Sequence, residues 1–300
     1  MTPAMPMSPT EAPRRPGVLS DLTTLAKPRI TVMATGATVI GYLLGWVGVW
    51  DPVHLAGVVV FTLFLGGGAS ALNQYVERDS DRLMQRTRER PLPTRRFRPG
   101  WVLVGGTGAA LVGVAGLAVW ANALAGVVAA TVAGTYVLAY TPLKRITGLN
   151  TIVGAVPGAL PPVLGWAAAR GSLGPEALAL FLILFVWQHP HFLSIAWLYR
   201  EDYAAAGMPM LTTADPDSRI ARRQMFVYGV TLIPVSLYPT IIGMAGEAYF
   251  FTSLALGLVF LATVVAMILR PTRVTALLVL KVSIVDLPAV LGVLLYDATL

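Results

Sequence analysis

The sequence contains no cysteine, which excludes disulfide bonds and metal sites built on thiolates. Charge is scarce as well: Asp, Glu, Lys and Arg make up 12% of the 300 residues, whereas a soluble domain typically contains about 25%. The first twenty residues also lack the apolar core of a signal peptide. We therefore expect residues 1–20 to form a disordered cytoplasmic tail and the rest of the chain to lie in a membrane.

Most of the sequence consists of long apolar runs. Hydrophobic residues make up 56% of the chain, and the mean hydropathy is +0.69. The sequence predicts an all-α membrane protein in which nine transmembrane helices form a bundle, with residues 21–300 as a single domain. The runs long enough to span a bilayer, about 20 residues each, are 30–50, 53–72, 101–120, 122–141, 151–169, 175–197, 224–243, 248–269 and 275–296.

The basic residues indicate how the chain is oriented. If the N-terminus is cytoplasmic, the alternate connections hold 20 of the 22 Lys and Arg residues, while Arg170 falls outside and Lys281 within a helix. This distribution follows the positive-inside rule, so the net charge of +7 reflects topology and not nucleic-acid binding. We expect a multi-pass protein of the cell inner membrane with its C-terminus outside. Its polar cytoplasmic loops would lie at about 73–100, 142–150 and 198–223.

Three oxygen-bearing side chains follow the second apolar run at helical spacing. Asn73, Glu77 and Asp81 are four residues apart, which places them in one stripe on a helix. Eight arginines lie between positions 78 and 98. Because carboxylates bind Mg²⁺ and arginines meet anionic oxygens, the pattern indicates a site for a Mg²⁺-bound diphosphate. The alternative is a solvated, positively charged loop after a membrane helix. Since the stripe lies at a wet membrane boundary, we expect Asp81→Ala to abolish turnover at little cost to folding.

A polar block interrupts the sixth apolar run. Gln188, His189, Pro190 and His191 are costly inside a membrane helix, where such residues normally face a cavity or a partner helix. The two histidines point about 200° apart on a regular helix, so they cannot bind one metal as an i, i+4 pair would, unless Pro190 distorts the turn. Either both make hydrogen bonds between helices, or one faces a reaction chamber as an iron ligand or a proton acceptor.

These segments together resemble the heme-farnesylating branch of the UbiA-type intramembrane prenyltransferases. The Asn-x-x-x-Glu-x-x-x-Asp pattern of residues 73–81 indicates the superfamily, and the blocks at 187–192 and 200–203 point to heme rather than to a quinone precursor. The resemblance runs from about residue 20 to the end and weakens after residue 230. Further matching segments are 25–30, 84–93, 140–145, 150–166 and 199–211.

The resemblance implies a reaction and its ligands. Farnesyl diphosphate, heme b and water would give heme o and diphosphate in a central cavity open to the cytoplasmic side, and a heme A synthase would receive the heme o. The residues implied for the Mg²⁺ cofactor are Asn73, Glu77, Asp81 and Asp202. The residues implied for the diphosphate oxygens are Arg86, Arg90, Lys144 and Arg145.

The resemblance also implies residues at the acceptor and at the carbocation. The residues expected to contact heme are Gln188, His189 and His191. The aromatic residues expected to stabilise the cation with their ring faces are Tyr75, Trp187 and Tyr199. One segment departs from the superfamily pattern, because Tyr199 and Tyr203 stand where a second acidic stripe is expected. The ligation of a second Mg²⁺ is therefore left open.

Two alternatives remain on the sequence alone. A prenyltransferase for 4-hydroxybenzoate or another quinone precursor would share the fold and the diphosphate site, but the histidine block argues against it. A multi-helix transporter would also place charges at helix breaks, but it would not need acids in diphosphate-binding register. The sequence does not distinguish which histidine contacts heme.

Overall fold

The structure is a computed structural model that describes residues 17–49, 51–215 and 218–298. The predicted tail at 1–20 lies outside the described residues up to position 16, and its last three residues belong to the first helix. Every regular element in the described ranges is helical. The elements are α1 (Val18–Ala26), α2 (Pro28–Gly45), α3 (Pro52–Asp81), α4 (Pro99–Trp120), α5 (Ala123–Gly134), a π-helical turn (Thr135–Tyr140), α6 (Thr141–Leu143), α7 (Asn150–Arg170), α8 (Pro175–Leu198), α9 (Arg200–Ala205), α10 (Leu211–Ala214), α11 (Arg219–Ile241), α12 (Glu247–Leu269) and α13 (Arg273–Ala298).

Eight helical segments of the described chain are long and apolar enough to cross a membrane. This confirms the prediction of a helical membrane protein but not the prediction of nine spans, because the run at 30–50 forms only the 18-residue helix α2. Helix α2 begins with Pro28 and Arg29 and carries three buried threonines, which lower its hydropathy. The eight segments are α3, α4, the continuous helix Ala123–Leu143, α7, α8, α11, α12 and α13.

Helix α2 nevertheless packs closely against α7. A Cβ at Gly41 would lie 1.9 Å from the carbonyl oxygen of Pro162, and a Cβ at Gly165 would lie 1.8 Å from that of Thr38. Only glycine permits so close an approach of two helix backbones, and small residues bring membrane helices together in this way. The glycines at this contact therefore serve the packing of α2 inside the bundle.

The two long polar segments meet at one end of the bundle. Helix α3 runs to Asp81, nine residues beyond the predicted span at 53–72, so the whole stripe is helical. A buried apolar cluster joins the segment after α3 to the end of α8 and to the segment that follows it. The members of this cluster are Met84, Ala196, Met208 and Met210.

The short helix α1 is fixed against the same end. Arg96, in the segment after α3, binds the buried carboxylate of Asp21 through Nε at 3.0 Å and Nη2 at 2.9 Å. Gln74 of α3 donates to two carbonyls in the last turn of α1. Lys27 follows that turn in the left-handed conformation, with φ at 47°. These contacts direct the Lys27 side chain towards α3.

Candidate active site

The stripe predicted from the sequence is buried in the folded chain. Asn73 and Asp81 are 0% exposed and Glu77 is 6% exposed, all on α3. The expectation that Asp81 lies in a wet environment is therefore wrong, and its Oδ2 instead accepts a 2.7 Å hydrogen bond from Arg90. Replacement of Asp81 by Ala would leave a largely buried guanidinium without its partner, so folding would suffer as well as activity.

Each member of the stripe binds a cation from another part of the chain. Lys27 donates from Nζ to Asn73 Oδ1 at 2.5 Å. Lys144 donates from Nζ to Glu77 Oε1 at 2.8 Å. Arg90 donates from Nη1 to Asp81 Oδ2 at 2.7 Å. We refer to these six residues as the charged cluster: Lys27, Asn73, Glu77, Asp81, Arg90 and Lys144.

The two lysines of the charged cluster have pKa values shifted in opposite directions. Burial lowers the pKa of Lys27 to about 7, although the Glu77 carboxylate acts to raise it. Burial also acts to lower the pKa of Lys144, but Glu77 beside it raises that pKa well above its usual value. Lys144 is therefore a permanent cation at neutral pH. Lys27 is balanced between its charged and neutral forms, and an added anion would favour the charged form.

A π-helical turn connects the helix of Lys144 to the stripe. The turn spans Thr135–Tyr140, and the hydroxyl of Thr141, the next residue, donates to the Tyr136 carbonyl at 2.8 Å. The Asn73 amide donates in turn to the Thr141 hydroxyl at 3.1 Å. Because π-helical turns occur frequently at functional sites, the position of this one beside the stripe is consistent with an active site.

Two phenol rings adjoin the cations of the charged cluster. The Lys144 ammonium lies 4.4 Å from the ring centroid of Tyr140, which is a cation–π geometry. The rings of Tyr136 and Tyr140 are 5.7 Å apart. Gly154 of α7 makes room for Tyr140, because a Cβ at that position would lie 2.4 Å from the ring. The cluster thus has aromatic faces beside it that local sequence pattern did not reveal.

The oxygen donors of the stripe fit Mg²⁺. Asp81 Oδ1 is buried and has no hydrogen-bond partner within the described residues. Mg²⁺ is usually held by one or two carboxylates together with phosphate oxygens of a substrate, and Glu77 and Asp81 supply two carboxylates. Within the described ranges, no group of three or more His, Cys, Asp or Glu residues can hold a metal by itself. The site therefore suits an ion that also takes phosphate oxygens.

Asp202 lines a pocket that contains no residue of the stripe. This pocket has a volume of about 230 Å³, and Gln85, Glu201 and Arg273 also line it. Among the residues that the structure describes, it does not join the acids of the stripe in a three-residue metal-binding group. This placement gives no support to the prediction that Asp202 binds the same ion.

The four basic residues predicted for the diphosphate have different neighbours. Arg145 donates to a backbone carbonyl and to a hydroxyl near the end of α3, at 2.9 and 3.2 Å. The Arg86 guanidinium lies 5.2 Å from the ring centroid of Tyr199. The two that the structure brings into the charged cluster are Arg90 and Lys144.

The other two aromatic residues predicted at the carbocation have neighbours outside the charged cluster. The Arg78 guanidinium lies 4.6 Å from the ring centroid of Tyr75. Trp187 stacks on His191, with ring centroids 4.8 Å apart. Their role at the carbocation stays a prediction.

The polar block of α8 contacts three different helices. Gln188 donates to a backbone carbonyl of α7 at 3.3 Å. His189 stacks on Tyr228 of α11, with ring centroids 3.6 Å apart. His191 Nδ1 lies 2.7 Å from the Ser283 hydroxyl of α13. The two histidines thus contact different helices, as their two-residue spacing predicts, and they do not share one metal.

Lys27 and Thr141 belong to the site although sequence pattern did not assign them to it. Lys27 lies 46 positions before its partner Asn73, so no local periodicity relates the two residues. The signal that could have found it is the Lys-Pro step at the start of α2. Proline at the first helical position disfavours right-handed helical geometry in the residue before it, and Lys27 has the left-handed conformation between α1 and α2.

Comparison with known proteins supports a prenyl-transfer site. Residues 34–285 match the UbiA prenyltransferase family. A protein named protoheme IX farnesyltransferase from Solibacter usitatus (strain Ellin6076) is 43% identical over 288 residues, which covers 93% of this chain and 99% of that protein. The fold is similar to that of digeranylgeranylglyceryl phosphate synthase, with a TM-score of 0.78, 17% identity and coverage of 93% and 98%. It is also similar to a UbiA homologue from Archaeoglobus fulgidus bound to DMAPP and Mg²⁺, with a TM-score of 0.67, 15% identity and coverage of 89% and 99%.

Proposed function

The chain belongs to the UbiA prenyltransferase family, and on that premise we propose that it transfers the farnesyl group of farnesyl diphosphate to a vinyl group of heme b. Water adds in the same reaction, which gives heme o and diphosphate. The observation that carries the proposal is the 43% identity over 93% of this chain to a protein named protoheme IX farnesyltransferase. That similarity favours heme farnesylation over prenylation of a quinone precursor and over transport.

The charged cluster would bind the diphosphate by exchanging partners. It holds three basic side chains and two carboxylates, so it has an excess of positive charge when Lys27 is protonated. Phosphate oxygens would compete with Glu77 and Asp81 for the ammonium and guanidinium groups. The released carboxylates would then hold Mg²⁺, which supplies Lewis-acid neutralisation of the leaving group when bound.

The residues around the charged cluster suit an allylic carbocation. The C–O bond of farnesyl diphosphate breaks with its electron pair on the phosphate oxygen, where Lys144 and Arg90 balance the charge. The vinyl π electrons of heme form the new C–C bond, and water adds to the resulting cation with loss of a proton. The ring faces of Tyr136 and Tyr140, next to Lys144, can stabilise the allylic charge. Complete burial of Asn73 and Asp81 keeps water away before alkylation.

We place the heme acceptor at the polar block of α8. Gln188, His189 and His191 are polar side chains inside a membrane-crossing helix, where such residues are rare and face the bundle interior or a cavity. The segment after α3, which carries Arg90, packs on the end of α8, the helix of the polar block. A heme A synthase would be the recipient of the heme o.

We also propose a nine-span arrangement with a cytoplasmic N-terminus, an external C-terminus and a central cavity open to the cytoplasm of the inner membrane. Helix α2 would be the first span, since it packs backbone to backbone against α7, a helix that crosses the membrane by length and composition. At 18 residues it is about 27 Å long, which is close to the roughly 30 Å thickness of the hydrocarbon layer. The distribution of 20 of the 22 basic residues supports the orientation.

The test is conversion of heme b to heme o by membranes that contain the protein, with farnesyl diphosphate and Mg²⁺ added and the extracted pigment analysed by chromatography and mass. Wild-type protein should form heme o. Asp81→Asn should abolish the conversion, because it removes the metal-binding charge but keeps an oxygen for Arg90. The control is Asp79→Asn on the same helix, where the side chain is 60% exposed, and this variant should keep the wild-type rate.

Two results would count against the proposal. A normal rate with Asp81→Asn would show that Asp81 does not hold the catalytic ion. Wild-type membranes that prenylate 4-hydroxybenzoate but leave heme b unchanged would show that the acceptor is wrong.

A further inference from the structure

The hydrogen bonds around His191 fix its tautomer. Ser283 donates its hydroxyl hydrogen to the Leu280 carbonyl at 2.8 Å, because a carbonyl can only accept. The Ser283 oxygen is then an acceptor for His191 Nδ1, which lies 2.7 Å away. Nδ1 therefore carries the ring hydrogen, and Nε2 has an unprotonated lone pair.

The orientation of the His191 ring is fixed as well. The ring stacks on Trp187 one helical turn earlier, with centroids 4.8 Å apart and planes 22° apart. Trp187 is anchored by its own donation to the Ser283 carbonyl at 3.1 Å. Two contacts with the same residue of α13 therefore hold the imidazole and the indole as one unit.

His189 has the same tautomer but a different environment. Its Nδ1 donates to the Phe185 carbonyl at 2.7 Å, so its Nε2 also has a lone pair. That Nε2 is buried without a partner among the described residues, and the ring is 0% exposed beneath Tyr228 at 3.6 Å. His191 is only partly buried, and its Nε2 is not among the buried polar atoms that lack a partner. Of these two histidines, His191 thus offers the imidazole lone pair that a ligand can reach without displacing the Tyr228 ring.

We propose that His191 Nε2 is the axial ligand of the heme iron in the acceptor, and that His189 is a packing residue. The inference rests on the proposed function, since it requires heme as substrate. Neutral imidazole is a common axial ligand of heme iron. Ligating histidines usually donate their other ring nitrogen to a fixed acceptor, which sets the tautomer and raises the basicity of the ligand. The chain from His191 to Ser283 to the Leu280 carbonyl is such an arrangement.

This assignment separates the heme site from the diphosphate site. His191 holds the porphyrin by its iron, while the charged cluster holds the diphosphate, so a change at one site should leave affinity at the other unchanged. Ser283 is a positioning residue, because it acts on the heme only through His191.

The experiment measures binding of heme b to the purified full-length protein by absorption spectroscopy, with binding of Mg²⁺ and inorganic diphosphate measured in parallel. His191→Ala should lose the histidine-ligated spectrum, and added imidazole should restore it by filling the vacated position. Ser283→Ala should weaken heme binding by roughly ten- to a hundred-fold, the usual effect of removing the partner of a metal-ligating histidine. His189→Ala should keep the wild-type spectrum, and all three variants should bind diphosphate as the wild type does.

Three outcomes would overturn the assignment. An unchanged heme spectrum and heme affinity in His191→Ala would show that His191 does not bind the iron. If that variant lost turnover alone, His191 would act as a proton acceptor instead. Loss of the spectrum in His189→Ala but not in His191→Ala would reverse the two roles. If His191→Ala does not fold, unchanged heme affinity in Ser283→Ala decides against the proposal. Failure of the proposed function looks different, because wild-type protein would then neither bind heme b nor form heme o.

Discussion

The ion pair between Lys144 and Glu77 should couple the stability of two distant parts of the chain. The perturbation is a double-mutant cycle of Lys144→Met, Glu77→Gln and the two combined. The pair is 2.8 Å long, and the two side chains are 16% and 7% exposed. At an effective dielectric constant of about 20 their attraction is about 6 kcal/mol before the cost of desolvation is subtracted. Loss of one partner from a buried pair typically costs about 3–5 kcal/mol, because the other charge stays buried and unpaired.

The surroundings of the pair place the expected values at the lower end of that range. Without Lys144, Glu77 still has Lys27 and Arg90 in electrostatic range. We therefore expect each single variant to lose about 3 kcal/mol of unfolding free energy, and the double variant to lose about the same amount instead of twice as much. The coupling energy would then be about 3 kcal/mol.

Reversible unfolding in mixed detergent micelles, followed by circular dichroism, gives the four unfolding free energies of the cycle. The control cycle uses Arg88 and Glu89, a 3.6 Å pair whose side chains are 61% and 79% exposed, and it should show no appreciable coupling. If the effects of Lys144→Met and Glu77→Gln add in the double variant, the two residues do not interact in the folded protein. The assignment of Lys144 to the charged cluster would then be refuted.

Two further predictions concern pH and topology. Binding of Mg²⁺ with inorganic diphosphate should weaken as the pH rises through about 7, because Lys27 loses its charge there. Titration calorimetry measures this binding. Lys27→Met should bind more weakly than wild type at about pH 6, and the difference should disappear at about pH 9. The lowered pKa of Lys27 affects folding in the opposite direction. It destabilises the folded protein fully below about pH 7, and this destabilisation fades as the pH rises towards the ordinary lysine pKa of 10.5. The free energy of unfolding should therefore increase with pH between about 7 and 10.5. A reporter that is active only outside the cytoplasm should be silent when fused after residue 95 or 215 and active after residue 51 or 300. Activity after residue 95 would contradict the proposed orientation.

The helical stripe was predictable because its members are close in sequence. The i, i+4, i+8 spacing needs only a helix to align Asn73, Glu77 and Asp81, and α3 supplies it. The apolar runs predicted most membrane helices for the same reason, since hydropathy is a local property. The run at 30–50 also predicted a helix, but α2 is not among the eight apolar segments because Pro28, Arg29 and its threonines lower its hydropathy.

The cations of the charged cluster were predictable only in part. Arg90 lies nine positions from Asp81, within the same polar segment. Lys144 lies 67 positions from Glu77 and Lys27 lies 46 positions from Asn73, so the pairs depend on how the helices pack. Burial of Asp81 was missed because its segment is highly charged, and in the structure Arg90 binds its carboxylate and Thr87 its backbone carbonyl.

The directions of the two histidines were predictable from the sequence, but the accessibility of their lone pairs was not. Their opposite directions follow from helical periodicity, and the structure agrees. Which of them has an accessible lone pair depends on Tyr228 of α11 and Ser283 of α13, and no pattern within the block encodes those contacts.

Because of the π-helical turn, the number of residues in its helix determines where the later side chains point. Each residue of an α-helix rotates the chain by about 100°, so the additional residue in Thr135–Tyr140 decides the direction of every side chain after it. Deletion of Leu138, which is 79% exposed, would remove almost no packing. It would nevertheless let the α-helix run on without interruption and turn Lys144 about 100° away from Glu77. This helix can therefore accept substitutions at exposed positions such as Leu138, but the insertion or deletion of one residue would separate Lys144 from Glu77.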